Sequence, residues 1–248
     1  MDIKMSQKIN KQLVDQIVRN VIENTSETDQ AILFNKEEKP QSSDGQQISA
    51  ENQVKNFTPE NDPNFKQLDW FEHVGTVKPG REKEEVVIAV SPAFAEVFRK
   101  TLTGLLHWDV LRQLTAGIEE EGLKYRVIKI YRTSDVSFCA SEADQISGSG
   151  ISIAIQSKGT TIIHQKDQEP LDNLELFPQA PVLTLETYRA IGRNAARYAK
   201  GMSPDPVPTV NDMMARVQYQ PLSGLMHIQE TRRVQTGKDA EEICLKLD

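Results

Sequence analysis

Glu85-Val-Val-Ile-Ala-Val-Ser91, Val110-Leu-Arg-Gln-Leu-Thr-Ala-Gly-Ile-Glu-Glu-Glu121 and Tyr125-Arg-Val-Ile-Lys-Ile-Tyr131 follow one another in a chain of 248 residues and decide its fold class. The first is a short β-branched run of the kind that forms a fully buried strand. The second puts Val110, Leu111, Leu114 and Ile118 on one helical face, with Gly122 as its stop. The third alternates as a second strand. Further on, Ser134 or Asp135 predicts the cap of a helix running into the Ala140 region, Ile151–Ile155 a third strand and Thr160–His164 a short fourth. Thr184 predicts the cap of a helix reaching Lys200 that packs Tyr188, Ile191, Ala195 and Tyr198. A full capping box would need Glu or Gln at position 187, where this chain has Thr187. Strands alternating with helices imply an open, mainly parallel α/β sheet with flanking helices.

Outward from this domain the composition changes. Between Glu23 and Lys66 nine acidic residues face four basic ones, which accounts for −5 of the whole chain's −7. That stretch is rich in Gln, Asn, Ser and Pro and buries too little surface to offset its ordering entropy. Before it, Ile9, Leu13, Ile17 and Val21 recur every fourth residue beside Val14, Val18 and Ile22, with charged residues flanking them. The expected organisation is an amphipathic helix over residues 1–25, a flexible linker over 26–83 and a globular domain over 84–248. The helix is too short to be stable alone. It either folds back on the domain or docks on another protein in the helix-in-groove mode. With 29 basic against 36 acidic residues the chain lacks the basic surface of a nucleic-acid binder. No run approaches eighteen apolar residues, so neither a transmembrane helix nor a membrane partner is expected. The absent signal-peptide h-region and the two widely separated cysteines point to a reducing cytosol.

An open α/β sheet binds ligands beyond the carboxyl ends of its strands. Ser91-Pro-Ala, Arg132-Thr-Ser-Asp-Val and Gln156-Ser-Lys-Gly-Thr-Thr occupy those ends, and Asp135 and Lys158 are their charged side chains of interest. Taken singly, Asp135 reads more readily as a helix cap and Lys158 as a solvated loop lysine. Ser147-Gly-Ser-Gly-Ile-Ser152 lacks the third glycine of a dinucleotide fingerprint and precedes a strand, so it reads as a flexible turn or a close backbone approach to a ligand. Arg189, Arg193 and Arg197, with Lys200, form a solvated helix face or a docking surface for an acidic partner or phosphate. Arg216 and Tyr219 either clamp a phosphate or polar amide rim or simply pack. His73, His107, His164 and His227 make no metal spacing, and no catalytic constellation stands out.

Several blocks, in order, resemble one family: Ala116-Gly-Ile-Glu-Glu-Glu-Gly122, Thr133-Ser-Asp-Val136, Ile146-Ser-Gly-Ser-Gly-Ile-Ser152, Ile155-Gln-Ser-Lys-Gly-Thr-Thr161, Asn173-Leu-Glu-Leu-Phe-Pro-Gln-Ala-Pro181, Thr184-Leu-Glu-Thr-Tyr-Arg189 and Asn194-Ala-Ala-Arg-Tyr-Ala-Lys200. The family is the medium subunit of adenosylcobalamin-dependent propanediol dehydratase and its glycerol dehydratase relatives. The resemblance implies a Rossmann-like fold that covers the lower face of base-on adenosylcobalamin, shared with a large subunit that holds the substrate, the metal ion and the catalytic side chains. It implies a dimer of αβγ units that dehydrates 1,2-propanediol or glycerol to the aldehyde by a radical route. No catalytic or metal-binding residue is expected on this chain. Cobalamin contacts are implied for Asp135, Lys158, Thr160, Asn173, Arg216, Tyr219 and Ser223, with apolar walls from Leu171, Leu176 and Pro178. Residues 1–25 resemble an encapsulation peptide for microcompartment shell proteins, which places the complex inside a bacterial microcompartment of the cytoplasm. A dehydratase reactivase is a further implied partner. The competing reading makes the chain itself a reactivase- or chaperone-type component that binds the dehydratase without retaining cobalamin.

Overall fold

Val86, Val87, Ile88, Ala89 and Val90 are each fully shielded from solvent, and that unbroken burial marks their strand as one covered on both faces. In the computed structural model of the chain, residues 68–208 and 213–247 are described, apart from the side chains of 213–216 and 218. The strands are β1 (Phe71–Thr76), β2 (Glu85–Val90), β3 (Lys124–Lys129), β4 (Ile151–Ile155), β5 (Thr161–Gln165), β6 (Glu175–Phe177) and β7 (Glu241–Leu245). The helices are α1 (His107–Glu120), α2 (Val136–Ile146), α3 (Leu185–Ala199) and α4 (Met213–Thr231). The seven strands form one sheet in the order β1-β7-β3-β2-β4-β5-β6.

The α/β class holds, with helices on both faces. β3, β2 and β4 are mutually parallel at the centre, and five of the seven strands run the same way. β5 and β7 run opposite, so both flanks of the parallel core pair antiparallel and the sheet is mixed. Alternation along β2 divides the core. Val86, Ile88 and Val90 face Val110, Leu111, Leu114 and Ile118 of α1 and Tyr188, Ile191 and Ala195 of α3. Val87 and Ala89 face Cys139, Ala140 and Ala143 of α2.

The stretch read as linker to residue 83 is already part of the fold from residue 68. Trp70 and Phe71 are buried, and β1 pairs with β7 from Phe71↔Leu245 to Thr76↔Glu241. Two aromatic anchors suffice there because β7 supplies the hydrogen bonds. The helix expected over 1–25 and the linker over 26–67 lie outside the described residues.

The capping box on α3 is complete with Thr187. The Thr184 hydroxyl accepts the Thr187 amide at 3.2 Å, and the Thr187 hydroxyl accepts the Thr184 amide at 3.3 Å. A hydroxyl reaches back as a Glu carboxylate would. The basic row on α3 is engaged inside the chain. Arg189 and Arg193 pair with Glu120, while Arg197 and Lys200 pair with Glu121. It is a seam between helices, where an open docking face was one expectation. The Ser147–Gly150 turn likewise meets its own chain: a Cβ on Gly148 would collide with the Glu82 carbonyl.

α1 and α3 approach through glycine. A Cβ on Gly117 would strike the Arg189 carbonyl and one on Gly192 the Leu114 carbonyl. Gly192→Ala should therefore lower stability by about 1–3 kcal/mol despite alanine's better helix propensity. Urea unfolding of the variant checks this, and a midpoint at or above wild type would contradict the packing.

Candidate functional site

β4 ends at Ile155 and the chain reverses through Gln156–Thr160 into β5. The Gln156 amide bonds the Thr160 carbonyl at 3.0 Å and the Gly159 amide the Gln156 carbonyl at 2.8 Å, which closes the turn. Gly159 has φ +105°, and a Cβ there would come within 2.6 Å of the Tyr188 hydroxyl oxygen. Glycine is required on both counts.

Side chains from three helices and one loop amide then fix the turn. Tyr188 of α3 donates its hydroxyl to the Gly159 carbonyl at 2.8 Å. The Leu102 amide donates to the Lys158 carbonyl at 3.0 Å. His107 of α1 donates from Nε2 to the Ser157 carbonyl at 2.8 Å and accepts the Ala95 amide at Nδ1 over 3.1 Å. The same ring stacks on Phe94 at 3.8 Å, beside Ala95, whose φ of 62° is unusual for a residue with a side chain. Glu230, near the end of α4, accepts the Ser157 amide at 3.2 Å and the Ser157 hydroxyl at 2.9 Å.

The turn forms one wall of a cleft of about 380 Å³. Lys158 and Thr160 come from the turn, Pro178 to Pro181 from the segment after β6, Leu102 from the loop before α1, and Tyr219, Gln220 and Ser223 from α4. Lys158 is partly buried, and burial lowers its ammonium pKa from the usual 10.5 against the opposing fields of Glu230 and Asp135. Among the described residues it forms no ion pair. A partly dehydrated ammonium in such a cleft attracts an anion more strongly than a solvated one. Thr160 donates its hydroxyl to the Pro178 carbonyl at 3.3 Å, which ties the two walls together.

Of the ten residues expected in a cofactor site, the structure brings five together: Lys158, Thr160, Pro178, Tyr219 and Ser223. Asp135 is the N-cap of α2, accepting the Ser137 amide at 2.8 Å and the Phe138 amide at 3.2 Å, and it reaches Lys158 only through its field. Leu171, Asn173 and Leu176 are exposed and stand apart from the cleft lining. Arg216 lies on α4, but its side chain is outside the description. Glu230, His107 and Tyr188, which hold the site's frame, were not foreseen, because the groups they bond come from distant segments.

These features define a Rossmann-like α/β domain with a polar-edged cleft at the carboxyl end of its central strands. The family model described as "Dehydratase medium subunit" matches residues 91–205, and that stretch of the chain is similar to this family. Two solved structures are similar to it. One, described as "Glycerol dehydratase reactivase", is 17% identical, covers 52% of this chain and 99% of its own, and has a TM-score of 0.42. The other, described as "Structure of diol dehydratase-reactivating factor complexed with ADP and Mg2+", is 23% identical, covers 49% and 97%, and has a TM-score of 0.39. Among the described residues no helix is long and apolar enough to cross a membrane, and no cluster of metal-ligating side chains occurs.

Burial moves the His107 pKa from its usual 6.5 down to about 3. The unfolded chain therefore takes up this proton first, and the associated stability is complete above pH 6.5 and lost as pH falls toward 3. The thermal midpoint should fall on acidification below pH 6.5. His107→Gln, which keeps a donor and an acceptor but does not titrate, should flatten that decline while lowering the midpoint at neutral pH.

Proposed function

We propose that the chain is the medium subunit of an adenosylcobalamin-dependent dehydratase that converts 1,2-propanediol, or glycerol, to the aldehyde. In this reading its cleft covers the lower face of base-on cobalamin. The observation that carries the reading is Lys158, a cation with no ion pair among the described residues, on a turn fixed from four sides with hydroxyls and amides around it. Cobalamin presents a phosphodiester, a ribose and amide side chains, and that donor set suits them. Lys158 would face the phosphodiester, Thr160, Ser223 and Tyr219 the polar rim, and Pro178 the lower base. Leu171, Leu176, Asn173, Asp135 and Arg216 belong to the proposed contact surface only once a second wall extends the cleft.

The volume fits a shared site. About 380 Å³ is at the low end for a small-molecule pocket, too small to enclose a whole corrinoid, so a large subunit would supply the opposite wall. When bound, the cofactor supplies the radical that abstracts substrate hydrogen. This chain's residues bind and orient it and keep the turn dry and rigid. The large and small subunits, in a dimer of αβγ units, and a reactivase are the proposed partners.

Co-purification with the large and small subunits, followed by adenosylcobalamin titration, tests the reading. The wild-type complex should retain the cofactor on gel filtration, and Lys158→Ala should weaken binding about tenfold or more, as expected for loss of a charge-assisted contact. A complex that forms but retains no corrinoid would instead identify a reactivase-type component. Residues 1–25 are proposed as a docking segment for microcompartment shell proteins. Fused to a fluorescent reporter in cells that make such compartments, they should give punctate fluorescence, and diffuse fluorescence counts against it.

A further inference from the structure

Glu230 is 1% exposed and has no ion-pair partner among the described residues. Its carboxylate lies between the loop after β2 and the turn after β4. Oε1 accepts the Ser91 hydroxyl, the Ser157 hydroxyl at 2.9 Å and the Ala93 amide at 3.3 Å, while Oε2 accepts the Ser157 amide at 3.2 Å. Burial pushes the carboxyl pKa up, and these four donors pull it back toward ionisation. The two amides can only donate, and a carboxylate lets both serine hydroxyls donate as well, whereas a protonated acid or a carboxamide would have to turn a hydroxyl round to accept. Both oxygens accept in this arrangement.

Tyr219, Ser223, Met226 and Glu230 recur at spacings of four, three and four, so they share one face of α4. The first two line the cleft and the last grips its floor. Glu230 therefore sets the register between two cleft walls, α4 and the Lys158 turn. We propose that Glu230 is the positioning residue of this cleft, acting on a bound ligand only through Ser157 and the direction in which Lys158 is held. The inference rests on the corrinoid reading of the cleft and adds a residue and a route to it.

The test is a double-mutant cycle on the complex with large and small subunits, titrated with adenosylcobalamin. Lys158→Ala should weaken binding about tenfold or more and Glu230→Gln about three- to tenfold. The doubly substituted complex should be within about twofold of Lys158→Ala alone, since residues that act through one another are non-additive. Amide exchange over residues 156–160 should quicken in Glu230→Gln and stay unchanged in Lys158→Ala. Losses that multiply in the double variant would overturn the proposal and make Glu230 an ordinary stabilising anchor. Should Glu230→Gln fail to assemble, Ser157→Ala removes one of the same hydrogen bonds, and its cycle with Lys158→Ala decides by the same criterion. A wild-type complex that binds no cobalamin overturns the cofactor reading and this proposal together. Binding by wild type with a multiplicative cycle overturns this proposal alone.

Discussion

The buried carboxylate of Glu230, bonded to Ser91, Ala93 and Ser157, is the constraint on which the cleft end of this molecule depends. A charge with no direct ion pair in the interior costs several kcal/mol unless its lone pairs are filled. Here filling them requires two strand ends to come to one helix. β2 and β4 are neighbours in the sheet, so their following loops already emerge side by side. Glu230 converts that proximity into a fixed geometry and brings α4 with it. His107 and Tyr188 close the same turn from α1 and α3. The cleft floor is thus tied to α1, α3 and α4.

A second polar assembly does comparable work at the far edge. Lys129, fully buried at the end of β3, pairs with Glu96 at 2.7 Å, and His73 of β1 bridges Glu96 and Glu241 at 2.6 and 2.7 Å. Tyr131 also donates to Glu241 at 2.7 Å. These bonds fasten β1 and β7 onto the parallel core. β1 otherwise offers little: only Phe71 of its six residues is buried.

The central elements were legible because their signals are local. β2 and β4 are apolar runs, α1 has one continuous apolar stripe, and Asp135 and Thr184 cap their helices as their residue types suggest. The edge strands were not, because a strand with one buried residue has no alternation to detect and depends on its partner. α4 was hidden by Pro221, which removes a backbone donor inside the helix and reads as a break. For the site, the turn was legible as a small polar segment at a strand end, and family resemblance pointed to Lys158, Thr160, Pro178, Tyr219 and Ser223. Glu230 gave no such signal. An acidic residue late in a helix is ordinary in sequence, and only tertiary structure shows that water never reaches it.

Lys158 lies in a hairpin connection, where a nucleotide-binding domain would run from strand into helix. Three of the five amides between Gln156 and Thr160 already serve the protein: Gln156 and Gly159 close the turn, and Ser157 bonds Glu230. On the proposed cofactor reading, this turn offers an anion the Lys158 ammonium rather than a ring of backbone N–H groups. A lone point charge balances a singly ionised diester and leaves a polyphosphate mostly uncompensated. On that reading, the reversal of the chain after β4 would favour a diester over a polyphosphate through topology, before any side chain is chosen.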